Sequence, residues 1–251
     1  MLLFVACLFG FLAGLLIGVA GIGGVILVPL LVYFADIDIH ASIAASVASF
    51  FVSGFVGTFV YSQRGIIKWA DFLLISIGAV PGAFLGAYVL PAINADLLTF
   101  FIALALIISA ARQIKSNKNL GVQLVSKISN HRMVLIGLVT GFLSVLSGTG
   151  GPLVLLPLLT WLSMPLVTAI GLAQAIQLPI AAFATVGNEL NSLVDWQLVL
   201  SLATGLAFGS LIGAKTSKHL PVDHIRVLVS FLLFGSGVYM MIALLWVLSP
   251  D

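Results

Sequence analysis

Two glycine-rich interruptions, half a chain apart, constrain this sequence more than any other feature. Gly21-Ile22-Gly23-Gly24 leads into the apolar run Val25–Leu31, and Gly148-Thr149-Gly150-Gly151 leads into Pro152–Leu159. In each copy a proline, Pro29 or Pro157, sits inside the second run. Gly21 and Gly148 are 127 residues apart in a chain of 251. Trp69 and Trp196 keep the same spacing, and so do Gly82–Ala87 and Gly209–Ala214. Ser46 follows Pro29 by 17 residues, as Gln174 follows Pro157. The chain reads as two copies of one unit, each built around a broken helix.

The solvent of that unit follows from the charge count. Only 7% of the residues are charged and 61% are hydrophobic, whereas a soluble domain carries about 25% charged residues. A soluble fold of this length could not cover its surface. The apolar runs are continuous, unlike the alternating segments of about 10 residues that build a membrane β-barrel. The fold class is therefore an all-α membrane protein. Its runs cover 2–20, 24–35, 41–61, 70–90 and 97–111, then 133–147, 150–163, 166–187, 196–214 and 226–248. A spanning helix takes about 20 residues. Runs 24–35, 133–147 and 150–163 fall short of that and flank the glycine motifs. Each motif is expected to turn a helical hairpin, with three spanning helices after it. Non-helical backbone at membrane depth survives only inside protein or beside a wet cavity, so the turns should point inward. The expected organisation is repeat 1 over 1–111, a cytoplasmic linker over 112–132 and repeat 2 over 133–251. The first run has no basic stretch before it, so it is expected to remain in the mature protein. A single cysteine, Cys7, excludes an intrachain disulfide.

Charge sets the orientation. Segment 112–132 holds Arg112, Lys115, Lys118, Lys127 and Arg132, half of all the Lys and Arg. The positive-inside rule makes it cytoplasmic. Counting outward, 62–69 (Arg64, Lys68) and 215–226 (Lys215, Lys218, Arg226) should also be inside. Segments 36–40, 91–96 and 188–195 should be outside, and none carries Lys or Arg. The loop before Trp69 is then inside and its mate before Trp196 outside. The two copies lie upside down relative to each other, with both termini outside. Inverted repeats with discontinuous helices are the signature of secondary transporters, whose substrate sits where the repeats meet.

The glycine turns are the first candidates for binding. A helix starting after each turn has unpaired N–H groups and a positive dipole end, a ready anion site. Glycine lets a ligand approach the backbone. Gly21, Gly23, Gly24, Gly148, Thr149, Gly150 and Gly151 form this set. Ser46 and Ser49, with their mates Gln174 and Gln177, recur at i and i+3 and so share a helix face. Hydroxyl and amide groups can bind an oxyanion without burying a charge. Ser53 and Ser147 are weaker candidates of that kind. Gly10, Gly14 and Gly18, and the Gly82/Gly86 and Gly209/Gly213 pairs, read instead as close helix packing. Trp69 and Trp196 read as interface anchors. No charged residue clearly occupies the centre of a run. No histidine pair has metal-ligand spacing, and no nucleophile–base or H-E-x-x-H pattern supports an intramembrane enzyme.

The two motifs, Gly21–Leu31 and Gly148–Leu159, with the pair Ala45-Ser46, resemble the TauE/SafE family of sulfite exporters, also called toluene sulfonate uptake permeases. The likeness covers almost the whole chain. The family's usual third glycine is Val25 in one half here and Pro152 in the other, and Gln174 stands where symmetry would place Ser or Thr. The resemblance implies transport of small, mostly sulfur-containing anions (sulfite, sulfonates, thiosulfate or sulfur-bearing organic acids) in a bacterial-type plasma membrane. The expected function is a secondary transporter working by alternating access. An anion channel and a carrier of a non-sulfur solute are the alternatives. The expected partners are a small anion, the lipid bilayer and, as one option, a second copy in a homodimer. No cofactor, metal or nucleic acid is expected.

Overall fold

The computed structural model describes residues 2–20, 24–115, 129–162, 164–216 and 222–248. The described part is helical throughout, without strands. The first half contains α1 (Leu2–Ala20), a 3-10 turn at Gly24–Ile26, α2 (Leu27–Phe34), α3 (Ile39–Gln63), α4 (Trp69–Val89) and α5 (Ala95–Lys115). The second contains α6 (Asn130–Leu146), α7 (Pro152–Trp161), α8 (Leu166–Ala175), α9 (Gln177–Leu190), α10 (Trp196–Thr216) and α11 (Val222–Leu248). Five spans are long and apolar enough to cross a membrane: α1, α3, α4, α8 with α9, and α10. Large apolar side chains such as Phe4, Phe55, Trp161, Phe208 and Trp246 stand exposed on the outside, as a lipid-facing surface requires.

Several helices run beyond the apolar runs that mark them in the sequence. The helical backbone continues through charged and polar residues at their ends, so α5 takes in Arg112 and Lys115. Asp38 starts α3 by accepting from the N–H groups of His40 (2.8 Å) and Ala41 (3.2 Å). Asp195 starts α10 in the same way. Such caps satisfy amides that helix geometry leaves open.

One expected helix is not continuous. Run 166–187 is interrupted at Ile176, so Gln174 falls in the last turn of α8 and Gln177 opens α9. Pro179 explains it. A proline has no N–H to give to the carbonyl four residues back, here that of Ala175. The ladder resumes with Ile180 N–H to Ile176 O at 3.2 Å. Ile176 itself stays right-handed (φ −68, ψ −16), so the axis continues past the fault. The first-half counterpart, α3, has no proline and no interruption.

The halves pack reciprocally. The helix α1 lies along α10, and α6 lies along α4. The third helix of each half packs on the fourth of the other, α3 on α10 and α9 on α4. Corresponding helices also meet, α3 with α9 and α5 with α11. Glycines make the closest of these crossings. A Cβ on Gly10 or Gly14 would strike the backbone at Leu202 or Leu206, and one on Gly205, Gly209 or Gly213 would strike α1 at Cys7, Phe11 or Leu15. At the other crossing, Gly137 and Gly141 press on Ile75 and Ala79, while Gly78, Gly82 and Gly86 press on Val134, Leu138 and Phe142. Each glycine of the first crossing has a counterpart 127 residues away in the second. The packing role expected of Gly10, Gly14, Gly82/Gly86 and Gly209/Gly213 is what these contacts give. Small residues let backbones touch where lipid offers no hydrophobic drive.

Candidate functional site

The second glycine turn is described in full. Gly148 N–H closes on Val145 O (3.1 Å) and Thr149 N–H on Ser144 O (3.0 Å), ending α6. Gly148, Gly150 and Gly151 then take φ values of 63, 72 and 124. That left-handed region favours glycine, because a Cβ would collide with its own backbone. The reversal delivers Gly151 as the cap of α7, with Pro152 in its first turn. Gly151 O accepts from Val154 and Leu155. Among the described residues no hydrogen bond engages the N–H of Gly150 or Gly151, although both glycines are buried. Thr149 is buried beside them, its hydroxyl 3.0 Å from that of Ser147. In the first turn Gly21 and Gly23 lie outside the described residues. Gly24 is described and buried, and it opens the 3-10 turn that leads into α2.

The two turns meet on one side chain. A Cβ on Gly24 would lie 2.6 Å from Cζ of Phe50, and one on Gly150 would lie 2.5 Å from Cδ2 of the same ring. Phe50 is wholly buried in the middle of α3. Both turns therefore need glycine against the ring, and the second needs it for its backbone conformation as well. The second turn also reaches Val28 and Ile43 of the first half through Gly148, while α11 of the second half contacts the 3-10 turn at Gly24–Ile26.

The polar candidates flank this ring. Ser46, Ser49 and Ser53 lie on the buried stripe of α3. Ser49 Oγ donates to Ser46 O (2.7 Å), and Ser46 Oγ is buried without a partner among the described residues. Ser53 Oγ donates to Gln177 Oε1 at 3.0 Å, a direct bond between the halves. Gln177 and Gln174 press against Gly54 and Gly57 of α3: a Cβ on Gly54 would lie 2.8 Å from Gln177 Cβ, and one on Gly57 would lie 2.6 Å from Gln174 Oε1. The order of these contacts makes α3 antiparallel to α8 and α9. Phe50, Gly54 and Gly57 belong to the site and are not evident as such in the sequence. The three-residue step between the two glycines is the signal that could have exposed them.

The buried polar side chains here are Ser, Thr, Asn and Gln; none of the buried described residues is ionisable. No group of His, Cys, Asp or Glu among the described residues is placed to hold a metal. What this centre offers a ligand is neutral: amide N–H groups, hydroxyls and carboxamides.

The model of the family described as "Sulfite exporter TauE/SafE" matches residues 6–240. The chain belongs to the TauE/SafE family. Curated relatives match over nearly their full lengths. "Probable membrane transporter protein YdhB" of Bacillus subtilis is 27% identical, over 84% of this chain and 89% of the relative. "Probable membrane transporter protein MJ0441" of Methanocaldococcus jannaschii is 26% identical, over 93% of each. "Probable membrane transporter protein YunE" of Bacillus subtilis is 25% identical, over 91% and 93%. No solved structure matches the chain. As a TauE/SafE protein with five helical spans long enough to cross a bilayer, it is a multi-pass membrane transporter and not an enzyme.

Proposed function

We propose that the chain carries a small, sulfur-containing anion across the plasma membrane by alternating access between two inverted repeats. The observation that carries this reading is the meeting of the two glycine turns on Phe50. Support comes from what surrounds that ring: the unbonded amides of Gly150 and Gly151 start α7, Ser46, Ser49 and Ser53 share the buried stripe of α3 with Phe50, and Gln177 accepts from Ser53. Neutral donors suit an anion that must be released again, since a fixed buried cation would hold it too strongly and would itself be expensive in the membrane. Inversion is supported by the antiparallel third helices and the reciprocal packing of the halves. The loop charges favour both termini outside. Ser46, Ser49, Phe50 and Gln177 are all buried, which suits a closed carrier better than an open channel. Opening to either side would come from one half rocking on the other about the glycine crossings.

Thermal stability in detergent tests the ligand class. A ligand that binds only the folded state at about 100 times its Kd adds roughly 2.7 kcal/mol, or several degrees in melting temperature. Sulfite, thiosulfate or a small sulfonate should give this rise, and Gln174→Ala should weaken it. A rise with a metal cation or neutral solute, and none with any sulfur oxyanion, would overturn the reading.

A further inference from the structure

Most serines and threonines in these helices settle their hydroxyl on the carbonyl three or four residues back: Thr58, Thr99, Ser109, Ser147, Thr160 and Thr185 all do so. Thr140 and Ser144 of α6 do not. Both are completely buried, and neither hydroxyl has a partner among the described residues. Asn188, in the last turn of α9, is also completely buried with neither its amide oxygen nor its nitrogen bonded. Ser46 Oγ on α3 is the same.

These four side chains occupy one region. The helices α3, α6 and α9 contact one another pairwise. Ser144 and Asn188 sit at one height along α4. A Cβ on Gly86 would be 3.3 Å from Cβ of Val145, and one on Gly187 would be 2.7 Å from Cβ of Ala87. Thr140, Ser144 and Ser147 recur at i, i+4 and i+7, on one face of α6 leading to the glycine turn. The turn itself stands beside α3: a Cβ on Gly148 would lie 3.6 Å from Ile43 Cα, one helical turn before Ser46. Asn188 is nearest the end of the molecule where α9 passes into α10, and His40 bonds Ile93 O at 2.9 Å at the same end.

The counterpart of α6 in the first half, α1, lacks the two hydroxyls. The counterparts of Thr140 and Ser144, 127 residues earlier, are Ala13 and Ile17, both buried and apolar. An unpaired buried polar group is destabilising, and lipid supplies no hydrogen bonds to offset it. A cluster of them where α3, α6 and α9 meet therefore asks for water.

We propose that Thr140, Ser144, Ser46 and Asn188 line a hydrated passage from the 191–195 end of the molecule to the glycine turns, and that the transported anion enters along it. The second clause rests on the anion reading above; the first does not. Cysteine accessibility tests both. In a Cys7→Ser background, Thr140→Cys, Ser144→Cys and Asn188→Cys are each treated in sealed vesicles with membrane-impermeant thiosulfonate reagents, one cationic and one anionic. Ala13→Cys and Ile17→Cys serve as buried comparisons. A hydrated thiol ionises far more readily than one in an apolar setting, so the three reporters should react about tenfold or more faster than the comparisons. They should do so only from the face that carries 191–195. Monodisperse elution of each variant confirms folding, and three independent reporters guard against the loss of one. Equal, slow reaction at all five positions would overturn the passage. Fast reaction without preference for the anionic reagent would keep the passage and count against the anion.

Discussion

Gly150→Ala is expected to lower the stability of this transporter by about 2–5 kcal/mol, from two causes that add at one atom. The first is backbone strain. Gly150 sits at φ 72, where an L-residue costs about 1–2 kcal/mol. The second is overpacking. The new Cβ would lie 2.5 Å from Phe50 Cδ2, and methyl insertion into a filled core costs about 1–3 kcal/mol. For a chain of this size the melting temperature should fall by roughly 5–15 °C. Phe50→Leu separates the causes. It makes room for the methyl without relieving the dihedral, so the double variant should lose less than the two single losses added together. Additive losses, or no change in melting temperature for Gly150→Ala, would mean that the turn does not rest on the Phe50 ring.

Gly205→Ala should be as damaging for a different reason. Its Cβ would strike the carbonyl of Cys7 and lie 2.6 Å from Phe11 N. Both are backbone atoms of a neighbouring helix and cannot rotate away, so α1 and α10 must part along their whole contact. The expected result is loss of a monodisperse peak after extraction, or a fall in melting temperature at least as large as that of Gly150→Ala. Gly235→Ala provides the comparison. A Cβ there meets nothing within 4 Å, and the change should stay within about 0.5 kcal/mol. Equal behaviour of the two variants would remove the glycine crossings from the account of how the halves are held.

What the sequence could reveal divides along the range of the interactions. The repeat spacing is local information, and so are the glycines at every fourth residue and the short runs beside each motif. The hairpins, the succession of five runs per half and the packing glycines follow from it. The fault at Ile176 was legible too, since Pro179 lies inside run 166–187, yet the hydropathy of that run hides it. Phe50 was not legible. It is one phenylalanine among 17, and its place between the turns depends on contacts with residues 26 positions before it and 100 after it. Thr140 and Ser144 look like ordinary helix hydroxyls until their missing partners are seen. The pairing of Ser53 with Gln177 likewise depends on α3 crossing α9, which no periodicity encodes.

Counterflow in proteoliposomes measures carriage of the anion itself. Vesicles loaded with unlabelled sulfite and diluted into a trace of radiolabelled sulfite should show transient accumulation of label with the wild-type protein. Gln177→Leu, which removes the acceptor of the Ser53 bond and a carboxamide from beside the turns, should abolish that accumulation and stay folded. No accumulation with sulfite, thiosulfate or a small sulfonate, or accumulation untouched by Gln177→Leu, would contradict a sulfur-anion site between the two glycine turns.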